Sequence, residues 1–188
     1  TQAPPSASFG IVELYVDQAI GNNTNSGTPS SPFATIAQAI AVLNFVNNRT
    51  KTANNPLFGQ PMNYTIKIAP GTYFLTSTIT LTRIDNVTLT TTADISYEGR
   101  ISSKQPVVIT SELYIQLLSL VRCNFINVSG ISFQNGFATL GGAAYLFSSK
   151  DVRFEYVTFL SNDALRGGAV FADTCDRINF FNCTFEYN

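Results

Sequence analysis

The chain has 188 residues, of which 45% are hydrophobic and 12% are charged, so it is too apolar for a disordered polymer and long enough for one domain with a substantial core. Eleven Lys and Arg residues against twelve Asp and Glu residues give a net charge of -1, which excludes the basic surface of a nucleic-acid-binding protein. No apolar run is long enough to cross a bilayer, and because the chain has no His, catalysis would rest on carboxylates, Arg, Lys or Tyr.

Two segments precede the main β-structure. Residues 1–10 are small, polar and Pro-rich, which predicts a flexible segment of the kind that signal removal or processing of an expressed protein leaves at a mature N-terminus. Residues 11–62 follow as a unit that is predicted to contain a first strand, a capping helix and a surface loop.

The capping helix is predicted over residues 32–46, after the Ser-Ser-Pro start signal that ends at Pro32. Its apolar residues have the spacing of one buried helical face. They are Phe33, Ile36, Ala39, Ile40 and Leu43. We expect this helix to cover the open N-terminal end of the β-structure, and the polar residues 47–62, punctuated by Pro and Gly, to form the surface loop.

Residues 63–188 are predicted to be β-structure throughout. Short β-branched runs begin this region, and turn pairs such as Pro-Gly and Asp-Asn separate them. The runs lie at residues 65–68, 78–81, 87–89 and 107–109. We interpret them as earlier, less regular turns of the architecture that becomes regular in the C-terminal third.

The C-terminal third repeats itself, so that position i matches position i+26. Phe133, Phe159 and Phe185 fall in register, and three further apolar columns agree in all three copies. These columns are Ile126, Val152 and Ile178; Val128, Phe154 and Phe180; and Ile131, Val157 and Cys183. Within one copy the apolar residues lie at i, i+2, i+5 and i+7, which indicates two short strands joined by a bend and excludes a helix.

A repeat of this length, which we expect to hold three short strands, cannot bury its inward face alone and must stack on its neighbours. The predicted fold class is therefore all-β, a parallel β-helix (solenoid) with an N-terminal capping helix and with regular repeats from about residue 126. The Phe133, Phe159 and Phe185 rings would stack in its core, and Asn162 and Asn188 would form an amide ladder at a corner. Because the sequence stops after a strand, further coils or another copy of the chain are expected to cover that end.

Two segments resemble known β-helix families. Leu14-Tyr-Val-Asp17, the Gly21 to Thr28 stretch, the Pro32 to Ile40 stretch and Ile-Ala-Pro-Gly-Thr-Tyr at 68–73 are similar to the beginning and first coil of the pectin-lyase-like right-handed parallel β-helix superfamily. The second segment resembles the repeats of polymorphic outer-membrane protein adhesins, whose paired signatures are Gly-Gly-Ala-Ile and Phe-x-x-Asn. The matching stretches are Gly-Gly-Ala-Ala at 141–144, Gly-Gly-Ala-Val at 167–170, and Phe-x-x-Asn at 159–162 and 185–188.

The resemblance is incomplete, since the copy at Phe133 ends in Gly136 where the signature has Asn, and neither Gly pair is followed by the final Ile. It implies a right-handed coil and a function in either adhesion or the cleavage of acidic polysaccharides.

One corner of the predicted repeats carries the only dense charged group. Its members are Asp151, Arg153, Glu155, Asp173, Asp176 and Arg177. Enzymes of the pectin-lyase-like superfamily use clustered Asp residues to hold Ca²⁺ or to act as acid and base. Exposed corners also attract Asp for structural reasons, and Arg153 and Glu155 would pair weakly, so we predict no catalytic residue, no metal site and no cofactor. A loose Ca²⁺ site at this corner is the alternative.

Two kinds of outward side chain suggest further roles. Alternating Thr residues would bind ice if they formed a flat face, although exposed strand positions favour Thr for packing reasons too. They are Thr76, Thr78, Thr80, Thr82, Thr88, Thr90 and Thr92. Aromatic residues outside the inward columns would contact glycans or another protein if several shared one outward face. They are Tyr145, Phe147, Tyr156 and Phe171.

Sequons of the form Asn-x-Ser/Thr favour a eukaryotic secretory route, and hence a secreted or cell-surface location, and they predict N-glycosylation. The acceptor residues are Asn22, Asn48, Asn63, Asn86, Asn127 and Asn182. The chain has an odd number of cysteines, Cys123, Cys175 and Cys183, so it cannot pair all of them internally, and Cys183 falls in an apolar column.

The predicted function is that of an extracellular structural or adhesive β-helix glycoprotein module that stacks end to end into a surface filament. Its predicted partners are copies of itself or further β-helix coils, together with glycans or cell-surface proteins, and neither nucleic acid nor a membrane interior. A non-enzymatic role is favoured. The alternatives are a polysaccharide lyase or glycoside hydrolase that acts on acidic polysaccharide, and an ice-binding solenoid.

Overall fold

The computed structural model of the chain describes residues 10–51, 62–93 and 106–188. These residues form parallel β-strands and one helix. In chain order the elements are β1 (Ile11–Val16), α1 (Ile36–Thr50), β2 (Asn63–Ile68), β3 (Gly71–Phe74), β4 (Ile79–Thr82), β5 (Asp85–Thr91), β6 (Val107–Thr110), β7 (Leu118–Val121), β8 (Asn124–Ser129), β9 (Ile131–Gln134), β10 (Phe137–Leu140), β11 (Ala144–Phe147), β12 (Lys150–Glu155), β13 (Thr158–Leu160), β14 (Asp163–Arg166), β15 (Val170–Asp173), β16 (Asp176–Phe181) and β17 (Thr184–Glu186). The predicted flexible segment, apart from Gly10, and most of the predicted surface loop lie outside the described residues.

The described strands assemble into four sheets, in which every strand pair is parallel. The six-stranded sheet has the order β1-β2-β5-β8-β12-β16, and the five-stranded sheet has the order β3-β6-β9-β13-β17. The four-stranded sheet has the order β4-β7-β11-β15, and the two-stranded sheet pairs β10 with β14. Consecutive strands of the chain mostly lie in different sheets, so pairing is between one repeat and the next. The fold is thus dominated by stacked parallel β-structure, and it is compatible with a parallel β-helix.

The strand registers confirm the predicted pairing of position i with position i+26. In the six-stranded sheet Val152 lies opposite Ile126 on one side and Ile178 on the other, and the neighbouring column of Val128, Phe154 and Phe180 follows the same register. In the five-stranded sheet Phe159 lies between Phe133 and Phe185. Residues one repeat apart are therefore direct neighbours across the sheets.

Each of the two complete regular repeats, β8 to β11 and β12 to β15, contains four strands, where the sequence predicted three. The missed strand is represented by β10 and β14, which pair through Ala138 and Ala164. No residue of either strand is buried, whereas each strand of the predicted pair buries at least one side chain. The missed strand therefore leaves no column of large buried residues in the sequence, and its only apolar match is the small pair Ala138 and Ala164.

Residues with positive φ recur with the period of the repeat, both at bends between strands and at the second residue of β8, β12 and β16. Three positions of the repeat have positive φ in three successive copies. They are occupied by Phe125, Asp151 and Arg177; by Asn135, Ser161 and Tyr187; and by Arg122, Ser148 and Thr174. Only Asn and Asp among these residue types tolerate the left-handed region well. The bends are therefore imposed by the pairing of the flanking strands, and the residue type at each bend is secondary.

The helix α1 lies beside the first strands of the stack. It packs against β1, β2 and β4, and the residues it buries include Ile36, Ala39, Ile40 and Leu43. It begins at Ile36 because the side chain of Thr35 caps it by accepting a hydrogen bond from the backbone N–H of Gln38. The helix is displaced toward the C-terminus relative to the prediction, since it starts after Phe33 and continues through Asn47 to Thr50.

The core contains the predicted aromatic column. Phe133 and Phe159 are fully buried, with ring centroids 5.8 Å apart, and the Phe159 and Phe185 centroids are 4.8 Å apart. Phe154 contacts Phe159 edge-on at 5.6 Å and stacks on Phe180 at 5.2 Å. Two aromatic columns thus interlock across neighbouring sheets, which favours one register over all others.

The predicted Asn ladder is present at the corner that follows this column. Asn162 is buried, and its side-chain amide donates to Asn188 Oδ1 at 2.8 Å and to the Phe133 carbonyl at 3.1 Å. Its own Oδ1 accepts from the backbone N–H of Gly136 at 2.9 Å. One buried amide therefore links three successive repeats.

Candidate functional site

Three of the four aromatic residues singled out from the sequence lie on one outward face. Tyr145 and Phe147 lie on β11, where the intervening Leu146 is fully buried, so strand alternation turns both rings outward. Phe171 lies on β15 directly opposite Tyr145. We call these three residues the aromatic face. Tyr156 lies elsewhere, at the bend after β12, where its ring contacts Phe181 edge-on.

The rings of the aromatic face are nearly parallel. Tyr145 and Phe147 have centroids 6.4 Å apart and an interplanar angle of 5°. Tyr145 and Phe171 have centroids 6.1 Å apart and an angle of 8°. All three side chains are half-buried. The rings thus keep nearly one orientation both along β11 and from β11 to β15.

Small polar side chains continue the aromatic face across the four-stranded sheet. The Tyr145 row runs through Ser119 on β7 to Thr80 on β4. The Phe147 row has Asp173 on β15 as its neighbour on one side, and on the other side it continues through Val121 to Thr82. The Asp173 carboxylate accepts a hydrogen bond from the Thr174 hydroxyl at 2.9 Å. The eight outward positions of this sheet thus combine three rings, three hydroxyls, one Val and one carboxylate.

The predicted charged corner forms ion pairs across neighbouring strands. The Arg177 guanidinium clamps Asp151 with two hydrogen bonds, of which the Nη2–Oδ2 bond is 2.8 Å, and its Nη1 reaches Asp176 at 2.6 Å. Lys150 lies 3.6 Å from Asp176. The hydrogen bond from Arg177 holds the pKa of Asp151 below its usual value. Asp173, by contrast, does not share in these contacts and belongs to the edge of the aromatic face.

Arg153 and Glu155 form the predicted outward pair. Two hydrogen bonds of 3.2 and 3.0 Å join the guanidinium to the carboxylate, and the guanidinium also lies 5.3 Å from the ring centroid of Phe181. Three of the four carboxylates of the predicted corner, those of Asp151, Glu155 and Asp176, are therefore paired with cationic side chains. Among the described residues no group of three His, Cys, Asp or Glu side chains is placed to hold a metal ion.

The two Thr rows do not share a face. Thr80 and Thr82 lie on β4 in the four-stranded sheet, whereas Thr88 and Thr90 lie on β5 in the six-stranded sheet. The Thr90 hydroxyl oxygen also accepts a hydrogen bond at 2.8 Å from the Ser129 hydroxyl of the adjacent strand. The rows are thus parts of two separate surfaces.

The sequons differ in accessibility. Four acceptor residues are exposed, and they are Asn22, Asn48, Asn63 and Asn182. Asn86 is half-buried at a bend with positive φ. Asn127 is half-buried in the middle of the six-stranded sheet, between Thr88 and Arg153, and its Oδ1 is one of two buried side-chain oxygens without a hydrogen-bond partner among the described residues.

All three cysteines are free. Burial raises the pKa of the Cys123 thiol and of the Cys183 thiol, and Cys183 packs against the core as its column predicted. Cys175 is half-buried, and its sulfur contacts the Asp173 carbonyl. The raised pKa values keep Cys123 and Cys183 in the less reactive thiol form.

A second aromatic cluster was not anticipated from the sequence. Tyr114 and Phe137 meet edge-on with centroids 5.4 Å apart, and with the exposed Leu165 they line a shallow cavity of about 450 Å³. Phe137 lies opposite Asp163 in the next repeat. The residue equivalent to Phe137 in the next copy is thus charged, so the alignment of the repeats gives no indication of an aromatic cluster at this position.

A scan against protein-family models and searches of curated proteins and of solved structures found no match for this chain. Within the described residues no helix is long and apolar enough to cross a membrane.

Proposed function

We propose that the chain is a right-handed parallel β-helix of the pectin-lyase-like type that serves as an extracellular structural or adhesive module. The parallel pairing of successive repeats supports the helical path. A chain that coils in one direction through the sheets adds one strand to each sheet per repeat, and each new strand is then parallel to the last. The right-handed sense rests on the general rule for connections between parallel strands and on the sequence resemblance.

The observation that carries the proposal is the continuity of the side-chain columns. The Phe133, Phe159 and Phe185 rings contact one after the other, and Asn162 bonds to the repeats on both sides of it. Such nearest-neighbour bonding makes a stiff body whose outward residues are free to vary. A stiff body with a variable surface suits a stalk or a module that presents a binding face.

The adhesive part of the proposal draws on the aromatic face. Contiguous apolar surface on a monomeric protein is often a binding site. Tyr145, Phe147 and Phe171 are only half-buried, and the core of the fold does not require them because Ala144 and Leu146 fill the inward side of β11. The exposed sequons support a secretory origin, in which the module would carry N-glycans.

Cleavage of acidic polysaccharide has less support. The corner carboxylate of Asp151 is engaged by Arg177, and Asp173 lies apart from it next to Phe147. Ice binding has less support for a similar reason, since the Thr rows lie on two sheets.

The adhesive role is tested with beads that carry the folded chain through a terminal tag and are washed under flow over surfaces coated with cells or extracellular matrix. Beads that carry the heat-denatured chain give the background. Retention above background on at least one surface is expected, and retention at background on every surface would overturn the adhesive role.

The enzymatic alternative is tested in parallel by incubating the chain with polygalacturonate or alginate and Ca²⁺, and by following the absorbance of unsaturated products. No turnover is expected. Turnover that is lost in the Asp173→Ala variant would show that the chain is a lyase and would overturn the structural role.

A further inference from the structure

We propose that the aromatic face is a binding site for neutral glycan chains, and this inference rests on the adhesive role given above. The site consists of Tyr145, Phe147 and Phe171, with Ser119 and Asp173 as polar neighbours. It would recognise a sugar by stacking under its apolar face and by hydrogen bonding to its hydroxyl groups.

The ring geometry suits pyranose units. The C–H bonds on one face of a pyranose carry a small positive charge and contact the negative face of an aromatic ring favourably. Tyr145 lies at the centre, with Phe147 6.4 Å away along the strand and Phe171 6.1 Å away across the strands. Because the planes of Phe147 and Phe171 each lie within 8° of the Tyr145 plane, one extended ligand can contact more than one ring in a similar orientation.

The polar neighbours supply the hydrogen-bonding groups that a sugar needs. The hydroxyl of Ser119 follows Tyr145 in its row, and the carboxylate of Asp173 lies next to Phe147. A few fixed polar groups beside an apolar platform are the usual composition of a small-molecule site. The phenol hydroxyl of Tyr145 adds a donor and acceptor of its own.

The charge of the surface selects neutral sugars over uronic acids. Of the eight outward positions on the four-stranded sheet, Asp173 is the one charged residue, and it is negative. A uronate carboxylate would meet this like charge beside the Phe147 ring, whereas Arg122 lies outside the sheet, at the bend after β7, which disfavours acidic polymers at the rings themselves.

The size of the surface argues against a protein as the main ligand. A stable protein interface takes roughly 20 to 30 residues from each partner. The four-stranded sheet offers eight outward side chains, on strands of four residues each. A narrow chain that lies along the rings matches this footprint better than a protein does.

The test is a calorimetric titration of the folded chain with four neutral probes, cellohexaose, laminarihexaose, mannohexaose and xylohexaose, and with hexagalacturonate. At least one neutral probe should bind, and hexagalacturonate should bind more weakly. Phe171→Leu, which keeps an apolar side chain and removes the ring, should weaken binding roughly two- to tenfold, the range expected for one lost stacking contact. Asp173→Asn should narrow the preference for the neutral probe over hexagalacturonate.

Tyr114→Leu is the matched control, because Tyr114 is an aromatic residue that is exposed outside the aromatic face, and this variant should leave the affinity unchanged. Circular dichroism and a thermal melt establish that each variant is folded, and the chemical shift changes of the Tyr145 ring protons locate the ligand independently of any variant. Binding by none of the neutral probes, equal affinity in Phe171→Leu, or tighter binding of hexagalacturonate would overturn the inference.

The two proposals fail separately. If the coated beads adhere but the probes do not bind, the glycan site is wrong and a protein receptor takes its place. If the beads do not adhere although a neutral probe binds, the glycan site stands and the adhesive role falls.

Discussion

Removal of the Phe159 ring tests the side-chain stack at a ring that contacts four other aromatic rings. The ring is fully buried and contacts Phe133 and Phe185 in its own column, as well as Phe154 and Phe180 in the next column. Burial of such a side chain contributes about 1.5 to 3 kcal/mol, and each of the two stacked pairs adds about 0.5 to 1.5 kcal/mol. Neighbouring repeats hold the column in place, so the cavity left by the ring should collapse little. Phe159→Ala should therefore lower the free energy of unfolding by about 3 to 5 kcal/mol.

The matched control is Phe74→Ala, which removes the same atoms from a strand position where the ring is 62% exposed. Its expected cost is under about 1 kcal/mol. Both variants are compared with the wild type by urea unfolding monitored by circular dichroism, with a shared slope as the check that the unfolded states are alike. In a thermal melt, each kcal/mol should lower Tm by about 2 to 4 °C for a chain of this length. Equally small losses in both variants would refute the stacked register.

Three further predictions concern single contacts. Gly142→Ala should lower the free energy of unfolding by at least about 2 kcal/mol in the same urea titration, because the new Cβ would lie 2.5 Å from the carbonyl oxygen of Gly168, the equivalent residue in the next repeat. A variant as stable as the wild type would contradict that close approach. Arg177 lowers the pKa of Asp151, so this pair should stabilise the fold above the unfolded-state pKa of about 3.9 and lose that effect as the pH falls through the folded-state pKa. The urea midpoint of Asp151→Asn should therefore lie slightly below that of the wild type at pH 7, and the difference should shrink as the pH falls below about 3.9. A difference that stays constant in acid would argue against the ion pair. Burial raises the pKa of Cys123, so iodoacetamide should label Cys175 well before Cys123 by peptide mass spectrometry, and equal labelling rates would show that Cys123 is accessible.

The regular part of the fold could be predicted because its signal is periodic. Phe133, Phe159 and Phe185 are inward-facing and large, and their constant spacing in the sequence is the strand register itself. The fourth strand of each repeat was missed because none of its residues is buried, as in β14. The C-terminal end of the helix was predicted too early, because Asn47 and Thr50 are polar yet buried and polar residues indicate a surface loop.

The candidate site could be predicted only in part. Tyr145, Phe147 and Phe171 stood out as aromatic residues beyond the inward columns, but strand phase decides which way they point, and phase shifts by one residue at each bend. The left-handed positions are poorly encoded, since Phe125 and Arg177 occupy two of them although local preference assigns such positions to Gly or Asn. Pairing with neighbouring repeats fixes them, and that information is not local in the sequence.

The most direct measurement of the stack is a set of nuclear Overhauser contacts between selectively ¹³C-labelled Phe rings. With centroids 5.8 and 4.8 Å apart, the ring protons of Phe159 should show contacts to those of both Phe133 and Phe185. Phe133 and Phe185 flank Phe159 on opposite sides, so they should show no contact with each other. Absence of both Phe159 contacts in the folded chain would contradict the vertical stacking of equivalent residues in successive repeats.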